Sequence, residues 1–191
     1  GTFTYLWSNG TISSLDSTLA AGTHYVIITD GNGCTDSVSF SITEPSTLIP
    51  TTSVVSNVSC FGGNDGAASA SASGSTGPYT FAWSNGQSGS AATGLSAGSY
   101  TVYVTDSNGC LDSTTVAITE PASLALSLVV DSTVSCFGIS YGKVTVAVGG
   151  GTGPFSYNWS NGDTITSASG LSAGLISVIV TDINGCQETI D

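Results

Sequence analysis

Residues 98–110 read Gly-Ser-Tyr-Thr-Val-Tyr-Val-Thr-Asp-Ser-Asn-Gly-Cys. Tyr100, Val102 and Val104 alternate with Thr101, Tyr103 and Thr105. A period of two, enriched in β-branched and aromatic side chains, is the pattern of a half-buried strand. The strand runs into Asp106-Ser107-Asn108-Gly109-Cys110, and parity decides the turn. A two-residue Asn-Gly turn pairs Ser107 with Cys110 and sends Val116 and Ile118 away from the face that carries Val102 and Val104. A three-residue loop from Ser107 to Gly109, with Gly109 in a left-handed bulge, pairs Asp106 with Cys110 and restores one apolar face. By the same parity Cys34, Val38, Phe40 and Ile42 share an inner face, while Ser37, Ser39 and Ser41 point outward.

Outward from this hairpin the sequence repeats itself. Asn-Gly-Cys recurs at Cys34, Cys110 and Cys186, and Trp-Ser-Asn-Gly at Trp7, Trp83 and Trp159, with a spacing of 76 in every case. The same offset relates Ser-Cys-Phe-Gly at Cys60 and Cys136, Thr-Gly-Pro at Pro78 and Pro154, and Thr-Glu-Pro at Pro45 and Pro121. The expected organisation is the C-terminal part of one repeat over 1–45, a complete repeat over 46–121 and a nearly complete one over 122–191. This reads as a window on a longer array.

The rest of each repeat is also strand-like. Tyr79, Phe81 and Trp83 alternate with polar or small neighbours, as do Ala68, Ala70 and Ala72, whose counterparts are Val144, Val146 and Val148. No stretch offers a helical stripe of comparable length. Short strands at ~8–12-residue spacing with a Trp on the third strand predict an all-β fold, a tandem series of immunoglobulin-like antiparallel β-sandwich repeats. Leu95, Gly98 and Tyr100 resemble the approach to a tyrosine corner, with His24 and Ile176 at the Tyr100 position elsewhere.

Composition excludes whole classes of partner. The 191 residues hold 13 Asp plus Glu against one Lys or Arg, a formal net charge of -12. Phosphate neutralisation needs cations, so nucleic acid and anionic lipid surfaces are excluded as partners. No apolar run approaches the ~20 residues of a membrane span, so no membrane insertion is expected in this window.

Five cysteines remain to be placed. Cys60 and Cys110 are 50 apart, as are Cys136 and Cys186. The expectation is one disulfide inside each repeat, with Cys34 bonded to a cysteine upstream of the window. Closing a ~50-residue loop stabilises a small sandwich by roughly 4 kcal/mol in the chain-entropy model, and such bonds imply an oxidising compartment. A cysteine metal site is the rival, but it lacks any Cys-x-x-Cys pair.

Ser-Cys-Phe-Gly-Gly-Asn-Asp-Gly at 59–66, Thr-Gly-Pro-Tyr-Thr-Phe-Ala-Trp-Ser-Asn-Gly at 76–86, Gly-Leu-Ser-Ala-Gly-Ser-Tyr-Thr-Val at 94–102 and Val-Thr-Asp-Ser-Asn-Gly-Cys at 104–110 resemble the SprB-type repeat of Bacteroidetes cell-surface and gliding-motility adhesins. The resemblance implies a PKD-like sandwich in an extracellular, cell-surface filament or adhesin, exported by the type IX system and serving attachment or gliding. Neighbouring repeats of the same chain are the implied partners, with surface polysaccharide or lateral filament contacts beyond them. Ile139, Ser140 and Tyr141 replace Gly63, Asn64 and Asp65 in the last repeat. The same resemblance implies O-glycans on Asp-Ser/Thr sites, which here are Ser17, Ser37, Ser113, Ser132 and Thr164.

Chemistry-bearing candidates have plain structural readings beside them. His24 is the single histidine, and a core or rim filler is the expected role. No Ser-His-Asp set, HExxH motif or phosphate-binding Gly loop is present, so no enzyme is expected in this window. Lys143 lacks the equivalents that an isopeptide bond would need in each repeat. Asp30, Asn32 and Asp36, then Asp106, Asn108 and Asp112, then Asp182, Asn184 and Glu188 form a recurring oxygen cluster beside the hairpin. Calcium takes about six to eight oxygens and tolerates irregular geometry, whereas an Asx turn needs only the loop amides; Ca2+ is thus the one cofactor considered, and the Asx turn is preferred. The rows Phe3, Tyr5 and Trp7, Tyr79, Phe81 and Trp83, and Phe155, Tyr157 and Trp159 are expected in the core rather than on a sugar-stacking platform, with Tyr103 and Tyr141 outward. The reading favours a structural and adhesive array over a carbohydrate-binding module array or a spacer region of a large secreted enzyme.

Overall fold

The computed structural model describes residues 1–133 and 141–191, and the chain divides into two units, Gly1–Thr47 and Leu48–Asp191. Among the described residues every regular element is a strand, paired antiparallel to its neighbours.

The first unit is one sheet in the order β1-β2-β3, built from β1 (Thr4–Trp7), β2 (Gly22–Thr29) and β3 (Thr35–Ile42). Trp7 meets Phe40 edge-on at 6.0 Å between ring centroids. Val26 is buried, while Phe3 and Val38 are 57% and 58% exposed. The parity reading put Val38 on an inner face, and within this unit that face has no second sheet against it.

The second unit holds two sandwiches of one design. In the first, β4 (Ile49–Ser56), β5 (Gly66–Ser73) and β7 (Ala91–Leu95) form a sheet in the order β4-β5-β7. Opposite it lie β6 (Thr80–Trp83), β8 (Gly98–Thr105) and β9 (Leu111–Ile118), in the order β6-β8-β9. In the second sandwich, β10 (Ala125–Ser132), β11 (Gly142–Gly149) and β13 (Ser167–Leu171) face β12 (Ser156–Trp159), β14 (Val178–Thr181) and β15 (Gln187–Ile190). First, second and fifth strands in one sheet against third, sixth and seventh in the other is the immunoglobulin-like arrangement without its fourth strand.

Alternation fills the space between the sheets. Ala68, Ala70, Trp83, Ala92, Leu95, Val102, Val104, Val116 and Ile118 form one core, with Tyr79, Phe81 and Tyr100 packed against it. Val144, Val146, Trp159, Ala168, Val178 and Val180 form the other, with Phe155 and Tyr157 against it. The aromatic rows of both sandwiches therefore pack inward. In antibody domains a disulfide joins the second and sixth strands; here Ala70 and Val102 lie in that core instead. Each buried Trp indole N–H is satisfied by a carbonyl, Trp83 by Gly89 at 3.0 Å and Trp159 by Ile165 at 2.8 Å.

The Tyr100 hydroxyl donates to the Ser96 carbonyl at 3.0 Å, closing the corner that leads into β8. In the second sandwich Ile176 offers no hydroxyl, β14 begins only at Val178, and Leu175 is 96% exposed.

Candidate functional site

The structure concentrates its polar construction at the pole bearing the Asp-x-Asn-Gly-Cys hairpins and at the junction that one of them forms. Asp106 and Asp182 are the buried charged residues among those described. One Asp106 carboxylate oxygen accepts the backbone N–H groups of Asn108 at 2.9 Å and Cys110 at 2.7 Å. The other accepts the Ser75 hydroxyl and, at 3.4 Å, the Thr76 N–H. Asp182 repeats the arrangement, taking Asn184 N–H and Cys186 N–H at 2.9 Å each on one oxygen and Thr152 N–H at 3.0 Å on the other. Asp30 does the same for Asn32 at 2.9 Å and Cys34 at 2.8 Å.

A carboxylate that accepts several hydrogen bonds is favoured in its charged form. The Ser75 hydroxyl chiefly, with the loop amides, holds the Asp106 carboxyl below the ordinary range against the opposing effect of burial. For Asp182 burial is the largest single influence and pushes upward, but the combined amides of Cys186, Thr152, Asn184 and Gly185 outweigh it. These aspartates are Asx-turn caps. Asp112 caps the Ser113 N–H at 2.7 Å and Asp36 the Ser37 N–H at 2.8 Å. No group of three or more His, Cys, Asp or Glu side chains among the described residues is gathered to hold a metal ion. Of the calcium candidates Asp30, Asn32, Asp36, Asp106, Asn108, Asp112, Asp182, Asn184 and Glu188, the five aspartates are engaged with backbone N–H groups, and the Asn184 side chain donates to Ser59 C=O.

Each hairpin has the three-residue loop that parity requires. Asp106 N–H bonds Cys110 C=O at 3.0 Å, and Gly109 sits at φ +83°. Gly33 and Gly185 both take φ +87°, so a left-handed glycine precedes each cysteine.

The disulfide differs from the expectation. Cys60 is bonded to Cys186, across 126 residues, with Cα atoms 5.7 Å apart, while Cys34 and Cys110 are exposed and have no disulfide partner among the described residues. Cys60–Cys110 and Cys136–Cys186 are therefore both corrected, although Cys136 itself lies outside the described residues. The reason is the pole each cysteine occupies. Cys110 follows the hairpin at the end where Thr105 pairs with Leu111. Cys60 belongs to the opposite end, where Gly98 pairs with Ile118, because Val58 N–H bonds Thr119 C=O at 2.9 Å and Gly62 N–H bonds a Glu120 carboxylate oxygen at 2.6 Å. An eight-residue strand spans about 26 Å, whereas a disulfide needs Cα atoms within ~7 Å. Cys60 instead meets the hairpin of the following sandwich, where the Asn184 side-chain amide also donates to Ser59 C=O at 3.1 Å.

The linker between the two sandwiches is held from both sides. Thr119 N–H bonds the Asn57 side-chain oxygen at 3.0 Å on the preceding side, and Ala122 C=O accepts Gly151 N–H at 2.8 Å on the following side. Gly150, at φ +66°, passes so close to the linker that a Cβ there would lie 1.9 Å from Ser123 O. Between these anchors lie Glu120, whose carboxylate accepts Gly62 N–H, and Pro121, whose φ is fixed by its ring. A cleft of about 340 Å³ at this junction is lined by Cys60, Phe61, Pro121, Leu124, Asp182 and Cys186, among others.

The remaining candidates fall where side-chain chemistry puts them. His24 Nε2 donates to Ala20 C=O at 2.8 Å and its Nδ1 accepts the Ser8 hydroxyl at 3.0 Å, so it fills a structural role at the rim. Lys143 pairs with Asp131 at 3.7 Å on the surface. Ser17, Ser37, Ser113, Ser132 and Thr164 are all exposed, as a glycan would require. Tyr103 and Tyr141 are outward, 46% and 72% exposed. Sequence reasoning missed Asn57, Glu120 and Asn184 as junction residues. The recurrence of Glu before Pro45 and Pro121 was visible, but its bond to a distant backbone amide was not.

The SprB repeat family model matches residues 52–88 and 132–164, so the SprB-type resemblance holds in both segments. No curated protein matches the chain. Among solved structures, the chain resembles the N-terminal eight Ig domains of Down Syndrome Cell Adhesion Molecule, with 14% identity and a TM-score of 0.37 over 98% of this chain and 31% of that one. It also resembles a tetra-tandem repeat from the extending region of a large adhesion protein, with 17% identity and a TM-score of 0.28 over 98% of this chain and 64% of that one. A third is Dpr2 Ig1-Ig2 in complex with DIP-Theta Ig1-Ig3, with 11% identity and a TM-score of 0.34 over 100% of this chain and 88% of that one. The chain spans about a third of the first of these and just under two thirds of the second.

Proposed function

We propose, with two SprB repeat segments as the premise, that this chain is a structural and adhesive stretch of an extracellular, cell-surface array that carries attachment, and gliding where the cell glides, away from the cell body. The repeat units of that array are 46–121 and 122–191, with 1–45 the end of another. The observation that carries the reading is the junction: a linker bonded to both sandwiches, with one proline between the anchors and a disulfide beside it. Such a joint suits a spacer that must transmit force and ill suits a hinge.

The role is non-catalytic, since the polar side chains of the site are spent on capping loops and fastening the linker. Export by a type IX route and O-glycans on the exposed Asp-Ser/Thr sites belong to the same reading. High negative charge supports solubility without lateral clumping at low salt. Deletion of the gene segment encoding the array, followed by measurement of cell attachment and gliding, tests the role. Loss of attachment with intact surface export supports it. Normal attachment, or a glycan array in which one isolated repeat binds a defined sugar tightly, replaces it with a spacer or a carbohydrate-binding array.

A further inference from the structure

The bond Cys60–Cys186 joins the start of one sandwich to the last hairpin of the next. Cys34 and Cys110 sit on hairpins of the same construction, each with its N–H held by the loop aspartate and a left-handed glycine before it, and both thiols are exposed. We propose that Cys110 and Cys34 are the receiving halves of the same inter-repeat bond, each joined to the Ser-Cys-Phe-Gly cysteine of the repeat that precedes its own. The array is thereby a covalent ladder. Formation of each rung breaks two S–H bonds and makes one S–S bond. The two protons and the electron pair pass to the disulfide of an oxidising thiol–disulfide oxidoreductase, whose S–S bond breaks to leave its dithiol.

The mechanical consequence follows from chain arithmetic. Tension entering at Cys60 crosses to Cys186 and leaves by the C-terminal side, so residues 61–185, both apolar cores included, lie outside the covalent load path. In a ladder, the chain between successive rungs is the stretch from a hairpin cysteine to the next Ser-Cys-Phe-Gly cysteine, 26 residues from Cys34 to Cys60. Drawn taut this is about 90 Å for every two repeats at ~3.3–3.6 Å per residue. Two folded sandwiches, at eight-residue strands plus turns, already span roughly 70–90 Å. The oxidised array therefore has almost no length to release, whereas bonds within each repeat would leave about 26 residues per repeat free to extend. This rests on the array reading for its biological meaning, but its connectivity is read separately.

Two measurements decide it. Non-reducing peptic mapping of the native protein should recover Cys110 and Cys34 each joined to a Ser-Cys-Phe-Gly peptide, alongside Cys60–Cys186. Recovery of either as a free thiol, or of Cys110 joined to Cys60, overturns the ladder. Single-molecule pulling of the 191-residue chain from its ends should show no release of length from residues 61–185 when oxidised. On reduction, or in C186S, two steps of about 200 Å each should appear, one per sandwich. Steps of that size before reduction, or steps of about 50 Å, overturn the shunt. Reduction of the unmutated chain separates this result from any folding defect of the variant, and neither measurement depends on attachment.

Discussion

His24 donates Nε2–H to the Ala20 carbonyl at 2.8 Å, the bond that the Tyr100 hydroxyl makes to Ser96 at 3.0 Å one repeat later. Two unlike side chains thus close the same corner because each carries a donor on its ring that reaches the carbonyl four residues earlier. Removing only the donor, Tyr100→Phe should destabilise its sandwich by about 1 kcal/mol, the usual net worth of a hydrogen bond. Urea unfolding of the pair Tyr100→Phe and Ile176→Tyr measures this, and the latter should add amide protection before Val178.

Trp83 is 3% exposed and its indole N–H is bound to Gly89. Truncation to Ala removes a large part of a small core, so Trp83→Ala should cost about 3–5 kcal/mol. The loss should appear as a lowered denaturation midpoint, with Trp159 fluorescence reporting the neighbouring sandwich separately.

Acid should weaken the hairpin pole. Asp106 and Asp182 have folded-state carboxyls held below the ordinary value by hydroxyl and amide donors. A group depressed in this way contributes stability that is complete above its unfolded value of about 3.9 and is lost as pH falls through the folded value. Stability should therefore be level from neutral pH to about pH 4.5 and decline below it. Asp16, lowered to about 2 by Thr18 and Asn9, adds the same sign in the first unit. Denaturation midpoints between pH 7 and pH 2 should show a smaller acid loss in Asp106→Asn, since an amide side chain does not titrate.

At the linker, Gly150 has no room for a side chain, since a Cβ would meet Ser123 O at 1.9 Å and its φ of +66° disfavours L residues. Gly150→Ala should cost on the order of 1–3 kcal/mol through backbone strain. Hydrogen exchange should localise the damage to residues 119–124, leaving the core around Val102 protected.

Exposure and charge make a further test of the surface. Lys143 is the one Lys or Arg of the chain, lies in β11 and is paired with Asp131. Native protein should resist trypsin under conditions that degrade ordinary surface proteins, and its intact mass should exceed the sequence mass if Ser37 and Ser113 carry glycans. Cleavage elsewhere by pure enzyme contradicts the first expectation, and an unmodified mass contradicts the second.

Strand identity, hairpin loop length and inward packing of Tyr79, Phe81 and Trp83 were determined by sequence alone, because each depends on neighbours within a few residues: alternation sets the face, and a left-handed glycine sets the loop. The repeated Asp was legible as a turn former for the same reason. Disulfide pairing was decided by tertiary structure. Cys60 and Cys110 lie closer in sequence than Cys60 and Cys186, but β8 and β9 hold the first pair at opposite poles while the bonded linker brings the second pair to 5.7 Å. Sequence separation measures the entropy of closing a loop, whereas a covalent bond between side chains needs a distance, and that distance exists only after one sandwich has docked against the next.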